Sequence, residues 1–267
     1  MKRWLVIVGL LSACMTQWSA TVVSPPPPAS TFAPTPTQVI ADTGWTSAGG
    51  GIETRELSIT FGTRRDRLLI ARVDPGKVSF RVFYDPERPR RVLEWLEHYG
   101  ARLVINGGFF DGDNRALGLL VADGRPFGQT YAGLGGLFGV QAGRVQIRSL
   151  IRAPYQSDEV FDQMVQSYPT LLTGGGEINT QIRDDGRRAL RSVVGLDRSG
   201  RVVFLVSPRQ TFTLTELADW LAESDLDLDT ALNLDGGASS GLVVKVPEGG
   251  SWGLNSLSAV PAVIVVQ

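Results

Sequence analysis

Arg55 to Phe61, Arg67 to Val73 and Lys77 to Tyr84 alternate apolar and polar residues over strand lengths, with only short polar or Asp-Pro-Gly breaks between them. A period of two places one side of each segment in a core and the other in water, so the three segments are expected to pair as an antiparallel meander. Further strands are expected at 101–105, 117–122, 134–140, 144–148, 168–173, 191–197, 201–207, 230–234, 240–246 and 259–266. Helical spacing is scarcer. Residues 88–99 carry it and stop at Gly100, and Leu214 to Glu223 carries it behind Thr213 and Glu216, which stand at capping-box spacing. Many strands, few helices and no strict strand–helix alternation lead to the expectation of an α+β fold: a mixed, largely antiparallel sheet with a few packed helices in a single globular domain.

Composition narrows the chemistry. The 267 residues hold 26 Lys plus Arg against 27 Asp plus Glu, a formal charge of −1. A nucleic-acid partner calls for a basic excess, so none is expected. There is one Cys and one His. A Cys/His zinc centre needs several such ligands, and a Ser–His–Asp or Cys–His arrangement needs a histidine free to act as base. His98 stands near the end of the 88–99 helix, which leaves acid–base work to carboxylates assisted by Arg, Asn and backbone amides.

The chain opens with the basic stretch Met1-Lys2-Arg3 and an apolar run, Trp4 to Leu11, that is too short to span a bilayer, which is a signal-peptide pattern. Leu11-Ser12-Ala13-Cys14 resembles the bacterial lipobox, where cleavage before the Cys leaves it bearing lipid. The expected organisation is a lipoprotein signal at 1–13, a lipidated N-terminus and Pro-rich linker at 14–51, and a globular domain at 52–267. Such a protein is exported and held in the cell envelope, periplasmic or outer-membrane, with the membrane as partner through the lipid on Cys14.

Three expected strands run into glycines beside polar side chains. They are Asn106-Gly107-Gly108-Phe109-Phe110-Asp111, Leu171-Leu172-Thr173-Gly174-Gly175-Gly176-Glu177 and Asn233-Leu234-Asp235-Gly236-Gly237-Ala238-Ser239-Ser240. Paired glycines let backbone approach a ligand closely, and they also make plain turns; both readings stay open on spacing alone. Arg191 enters a strand, where its planar fork can meet a phosphate or carboxylate. Asp111-Gly112-Asp113-Asn114 lacks the later glutamate of a calcium loop, and no metal or cofactor is expected.

Taken in order, Asn106 to Phe110 with Gly118 and Asp123-Gly124, the Leu171-Leu172 stretch, Arg191 to Asp197 with Gly200, the helix 214–223 and Asn233 to Ser240 resemble the phosphodiester glycosidase family, over about residues 55 to 267. Two departures are Ala189-Leu190, where the family often has His-Pro, and Ala238 in place of a third glycine. The resemblance implies a hydrolase that cuts a sugar-1-phosphodiester bond in an envelope or extracellular glycan and releases sugar and phosphomonoester. It gives Arg191 the phosphate and Asp235 the water or the anomeric carbon, with Asp111 or Glu177 as a second carboxylate. Asn106, Gly107, Gly108, Gly236, Gly237, Ser239 and Ser240 would hold sugar and phosphate oxygens. Hydrolysis of another glycosidic or phosphodiester bond, and non-catalytic saccharide binding by an envelope lipoprotein, are the alternative readings.

Overall fold

The computed structural model describes residues 37–130 and 135–267; Cys14, the signal segment and the proline tract lie outside the described residues. The described residues first form β1 Thr37–Asp42, β2 Thr46–Gly49, β3 Ile52–Phe61, β4 Arg64–Val73 and β5 Phe80–Tyr84, then helix α1 Val92–Tyr99. Next come β6 Leu103–Asn106, β7 Leu120–Ala122, β8 Arg125–Phe127, β9 Gly136–Gln141 and β10 Arg144–Ser149. β11 Gln163–Ser167, β12 Thr170–Thr173, β13 Ala189–Asp197 and β14 Val202–Phe212 lead to helix α2 Leu214–Glu223. β15 Leu228–Asn233, a single 3-10 turn Gly237–Ser239, β16 Leu242–Lys245, β17 Ser251–Leu254 and β18 Ala262–Val266 complete the chain.

These strands make three sheets: eight strands in the order β1-β3-β4-β14-β13-β15-β12 with β2 added beside β3, five as β10-β9-β11-β7-β8, and five as β17-β16-β6-β18-β5. Every pairing of named strands among the described residues is antiparallel. The expected α+β class is therefore corrected to a largely β fold, with 48% of the described residues in strands and 9% helical. The expected mixed sheet is corrected as well, because it is three antiparallel ones. The reason is length: α1 has 8 residues and α2 has 10, and each only caps the outer face of one sheet. No crossover helix joins parallel neighbours, as an α/β sheet would require.

Alternation along β13 and β15 sorts the core. Val194, Leu232 and Leu234 point to one side, into a cluster with Val82, Ile105, Phe138, Phe204 and Ile264 that draws on all three sheets. Val193 and Ala231 point to the other, where Leu217, Trp220 and Leu221 of α2 cover them. α2 begins where its capping pattern places it: the Glu216 amide donates to Thr213 Oγ1 at 3.2 Å and the Thr213 amide to Glu216 Oε2 at 2.9 Å. α1 lays Trp95 and Leu96 on Val104, Val243, Val263 and Val265, and ends at Gly100 with φ 60°.

β1, β2, β8, β11 and β17 lie beyond the expected strand set. β1 and β2 stand ahead of Ile52, and every side chain of β1 is exposed, so no burial pattern marks it. β11 reads as polar, yet Gln163 and Gln166 are buried; Gln163 Oε1 accepts the Val82 amide at 2.8 Å and ties the second sheet to the third. Phe204 sits at the meeting of the sheets with no exposure. Phe204→Ala is expected to destabilise the fold by about 3–5 kcal/mol, read from urea or thermal unfolding; a loss under about 1 kcal/mol would show that the sheets are not packed through this ring.

Candidate active site

β13 and β15 are neighbours, with Val193 opposite Asn233 and Val194 opposite Leu232. The Leu234 amide extends that register by donating to Ser192 O at 2.8 Å, which brings the Arg191 end of β13 beside Asp235. Side chains alternate across a strand. Arg191, Asn233 and Asp235 therefore continue the face of Val193 and Ala231, while Leu232 and Leu234 enter the core. At the start of α2, where Leu214 forms part of the wall, that face opens into a cleft of about 400 Å³. Phe109, Tyr168, Pro169, Arg183, Asp185 and Arg187 close its other sides, and Gly236 and Gly237 lie at its edge.

Arg191 is 9% exposed. Its Nε donates to Phe212 O at 3.4 Å and one Nη to Arg187 O at 2.7 Å, so two backbone carbonyls hold the guanidinium in place. It forms no ion pair with any carboxylate among the described residues. Burial pushes its pKa down, and the fields of Asp184 and Asp185 only partly oppose this. Burial also acts first on Asp184, raising it, but hydrogen bonds from Thr213 and from the Thr215 and Gly186 amides outweigh that and keep its carboxyl below the ordinary value. Asp184 thus stays charged and anchors the loop that carries Arg187.

Asp235 is half-buried, and its Oδ1 accepts the Gly236 amide at 2.9 Å. Burial pushes its carboxyl up; hydrogen bonds from Ser239 and the Gly236 amide pull the other way without cancelling it. Arg191 and Asp235 thus share one cleft without neutralising each other. The turn that carries Asp235 is packed tightly, because a Cβ on Gly236 would stand 2.8 Å from Leu190 O. Below the cleft Asn106, with no exposure, donates from Nδ2 to Asp235 O at 2.7 Å and accepts Ser192 Oγ at 2.8 Å and the Gly241 amide at 3.1 Å.

The phosphodiester glycosidase family model matches residues 99–267. This chain belongs to that family. Among solved structures, the zebrafish N-acetylglucosamine-1-phosphodiester alpha-N-acetylglucosaminidase catalytic domain, described as auto-inhibited by its pro-peptide, is similar with a TM-score of 0.62 at 20% identity, covering 87% of each chain. A hypothetical protein from Synechocystis is similar with a TM-score of 0.56 at 16% identity, covering 81% of this chain and 62% of that one. At these identities the likeness shows a shared fold. No curated protein matches significantly by sequence.

Of the site residues expected from this glycosidase-family sequence, the structure brings Arg191, Asp235, Gly236 and Gly237 to the cleft. The other candidates sit elsewhere. Asp111 uses its carboxylate within its own loop, where Oδ1 accepts the Asp113 and Arg115 amides, each at 2.9 Å. Glu177 is 65% exposed and paired with Arg152. Neither lines the cleft, and among the described residues the only lining carboxylate besides Asp235 is Asp185. Asn106 lies under the site, its amide engaged by protein groups. Gly107 donates its amide to Ala262 O at 2.9 Å. Gly108 packs so that a Cβ would stand 2.6 Å from Gln166 O. Ser239 supports Asp235, and Ser240 is fully buried. Missing from the expected set are Asn233, Phe109, Tyr168, Arg183 and Asp185. Period-two alternation from Asp235 back to Asn233 is the signal that points to the first of them; the rest come from loops whose direction has no local signature. Among the described residues no cluster of three or more His, Cys, Asp or Glu is gathered for a metal.

The folded state holds the Asp235 proton more tightly than the unfolded chain does, so stability is withdrawn as pH rises past the ordinary 3.8 and through the raised folded value. Asp235→Asn cannot ionise and keeps an acceptor for the Gly236 amide. It is expected to melt above wild type near pH 7, with the gap closing as pH falls toward about 4. Scanning calorimetry at both pH values checks this, and a gap that does not narrow would refute the burial effect.

Proposed function

We propose that the cleft hydrolyses the bond between the anomeric carbon of a sugar and a phosphodiester. The observation that carries this reading is a buried guanidinium without a counter-ion facing the same cleft as a desolvated carboxylate. Arg191 offers charge-assisted hydrogen bonds to the phosphate. The phosphate leaves as an anion, so its departure needs charge stabilisation more than protonation. Asp235, held by Ser239 and the Gly236 amide, takes the proton of the water that attacks the anomeric carbon; the carbon–oxygen bond to phosphate breaks, and free sugar and phosphomonoester leave. Because burial raises the Asp235 carboxyl, the acid limb of the rate profile is expected above the usual carboxylate range. Support for the sugar end comes from Phe109 and Tyr168, whose ring centroids lie 4.9 Å apart on the cleft wall.

A nitrophenyl phosphodiester of a sugar is the direct assay, run beside simple nitrophenyl glycosides. Turnover of the former alone supports the reading, and turnover of only the latter would replace it with ordinary glycoside hydrolysis. Asp235→Asn is expected to lower kcat by about 100-fold or more while retaining binding. Arg191→Lys keeps the charge and loses the fork, for an expected loss in kcat/KM of roughly 30-fold, about 2 kcal/mol. A fully active Asp235→Asn protein would end the assignment.

The cellular setting proposed for this activity is the envelope, through lipid on Cys14. Cys14→Ser is expected to block processing before that residue and release the protein from the membrane fraction. Unchanged processing and membrane association on fractionation would refute the anchor.

A further inference from the structure

We propose that Asn233 reads the sugar: its Oδ1 accepts a hydrogen bond from a hydroxyl on the ring held in the cleft. The ligand's identity as a sugar rests on the hydrolase reading above; the unpaired acceptor does not. Asn233 lines the cleft and is 3% exposed, and its Oδ1 has no hydrogen-bond partner among the described residues. Its Nδ2 donates to Tyr168 O at 2.9 Å. That bond fixes the orientation of the amide, because the flipped form would set two oxygens against each other. The unsatisfied atom is therefore an acceptor, and it requires a donor.

A buried acceptor left unpaired opposes folding, and such atoms in native proteins call for an explanation. The hydroxyls of Ser167, Thr230 and Ser240 are also unpaired, but none of them lines the cleft. Oδ1 of Asn233 does. It also divides the cleft by chemistry, since its partial negative charge repels phosphate oxygens and leaves those to Arg191. The Asn233 amide is bonded to the backbone of Tyr168, a residue 47% exposed that pairs with Phe109. An aromatic wall beside a fixed acceptor suits a sugar, whose ring face is apolar and whose edge carries donors. The sugar end of the cleft is thus at Asn233 and Tyr168, and the phosphate end at Arg191.

The test is a cycle between protein and ligand. Wild type and Asn233→Ala are assayed with a glycosyl methyl phosphodiester and its monodeoxy analogues, and calorimetry measures binding of the matching sugar 1-phosphates. Wild type is expected to lose roughly 10- to 100-fold at one deoxy position, and Asn233→Ala less than about threefold at that position. Equal losses in both proteins at every position would overturn the proposal. A flat profile in wild type, with turnover intact, would remove Asn233 and leave the hydrolase reading standing. The expected cycle in binding, with no turnover of any diester, would remove the hydrolase reading and leave the contact. Absence of both binding and turnover would remove both. Should Asn233→Ala fail to fold, a crystal structure of wild type with the sugar 1-phosphate decides: a ligand donor within about 3.2 Å of Oδ1 supports the contact, and water alone at that atom refutes it.

Discussion

A single buried amide joins the strands that carry the chemistry. Asn106 at the end of β6 binds Asp235 O, Ser192 Oγ of β13 and the Gly241 amide ahead of β16, while the Asp235 amide returns a bond to Gly107 O at 3.1 Å. Two sheets are thus tied together at the turn that presents the carboxylate. Inside a protein such bonds are stronger than in water, and every group in the knot is satisfied, so the turn has one geometry. The half-buried setting of Asp235, and with it the raised carboxyl, follows from where this knot holds it.

The site costs the fold something. Arg191 is buried against carbonyls without a carboxylate, Asp235 is desolvated, and Asn233 keeps an acceptor unpaired. Each of these opposes folding, and all three line one cleft. The apolar clusters on either side of β13 and β15 offset the deficit, which is why the same two strands supply both core and chemistry. Alternation makes that division possible: Leu232 and Leu234 anchor the strand while Asn233 and Asp235 stand free of the core.

Much of the local structure was legible from residue order. Thr213 with Glu216 marked the start of α2, Gly100 the end of α1, and alternation marked most strands of the eight- and five-stranded sheets, because each of these signals acts within a few residues. The family motifs, in their order along the chain, pointed to the family whose model matches residues 99–267. Strands without a burial contrast escaped notice. β1 is exposed along its length, and β11 buries glutamines, of which Gln163 accepts a backbone amide of another sheet.

What residue order determined was the period of each segment, its caps and the presence of Arg191 and Asp235 at strand ends, since sterics and side-chain chemistry set these locally. Tertiary structure decided the rest. It divided the strands into three antiparallel sheets in place of one mixed sheet. It turned Asp111 into its own loop and Glu177 toward Arg152, drew Asn106 below the site, and brought Tyr168 and Phe109 to the wall beside Asn233. Those outcomes depend on register between strands far apart in sequence and on the direction of loops, and both are settled only when the two faces of β13 and β15 find their partners.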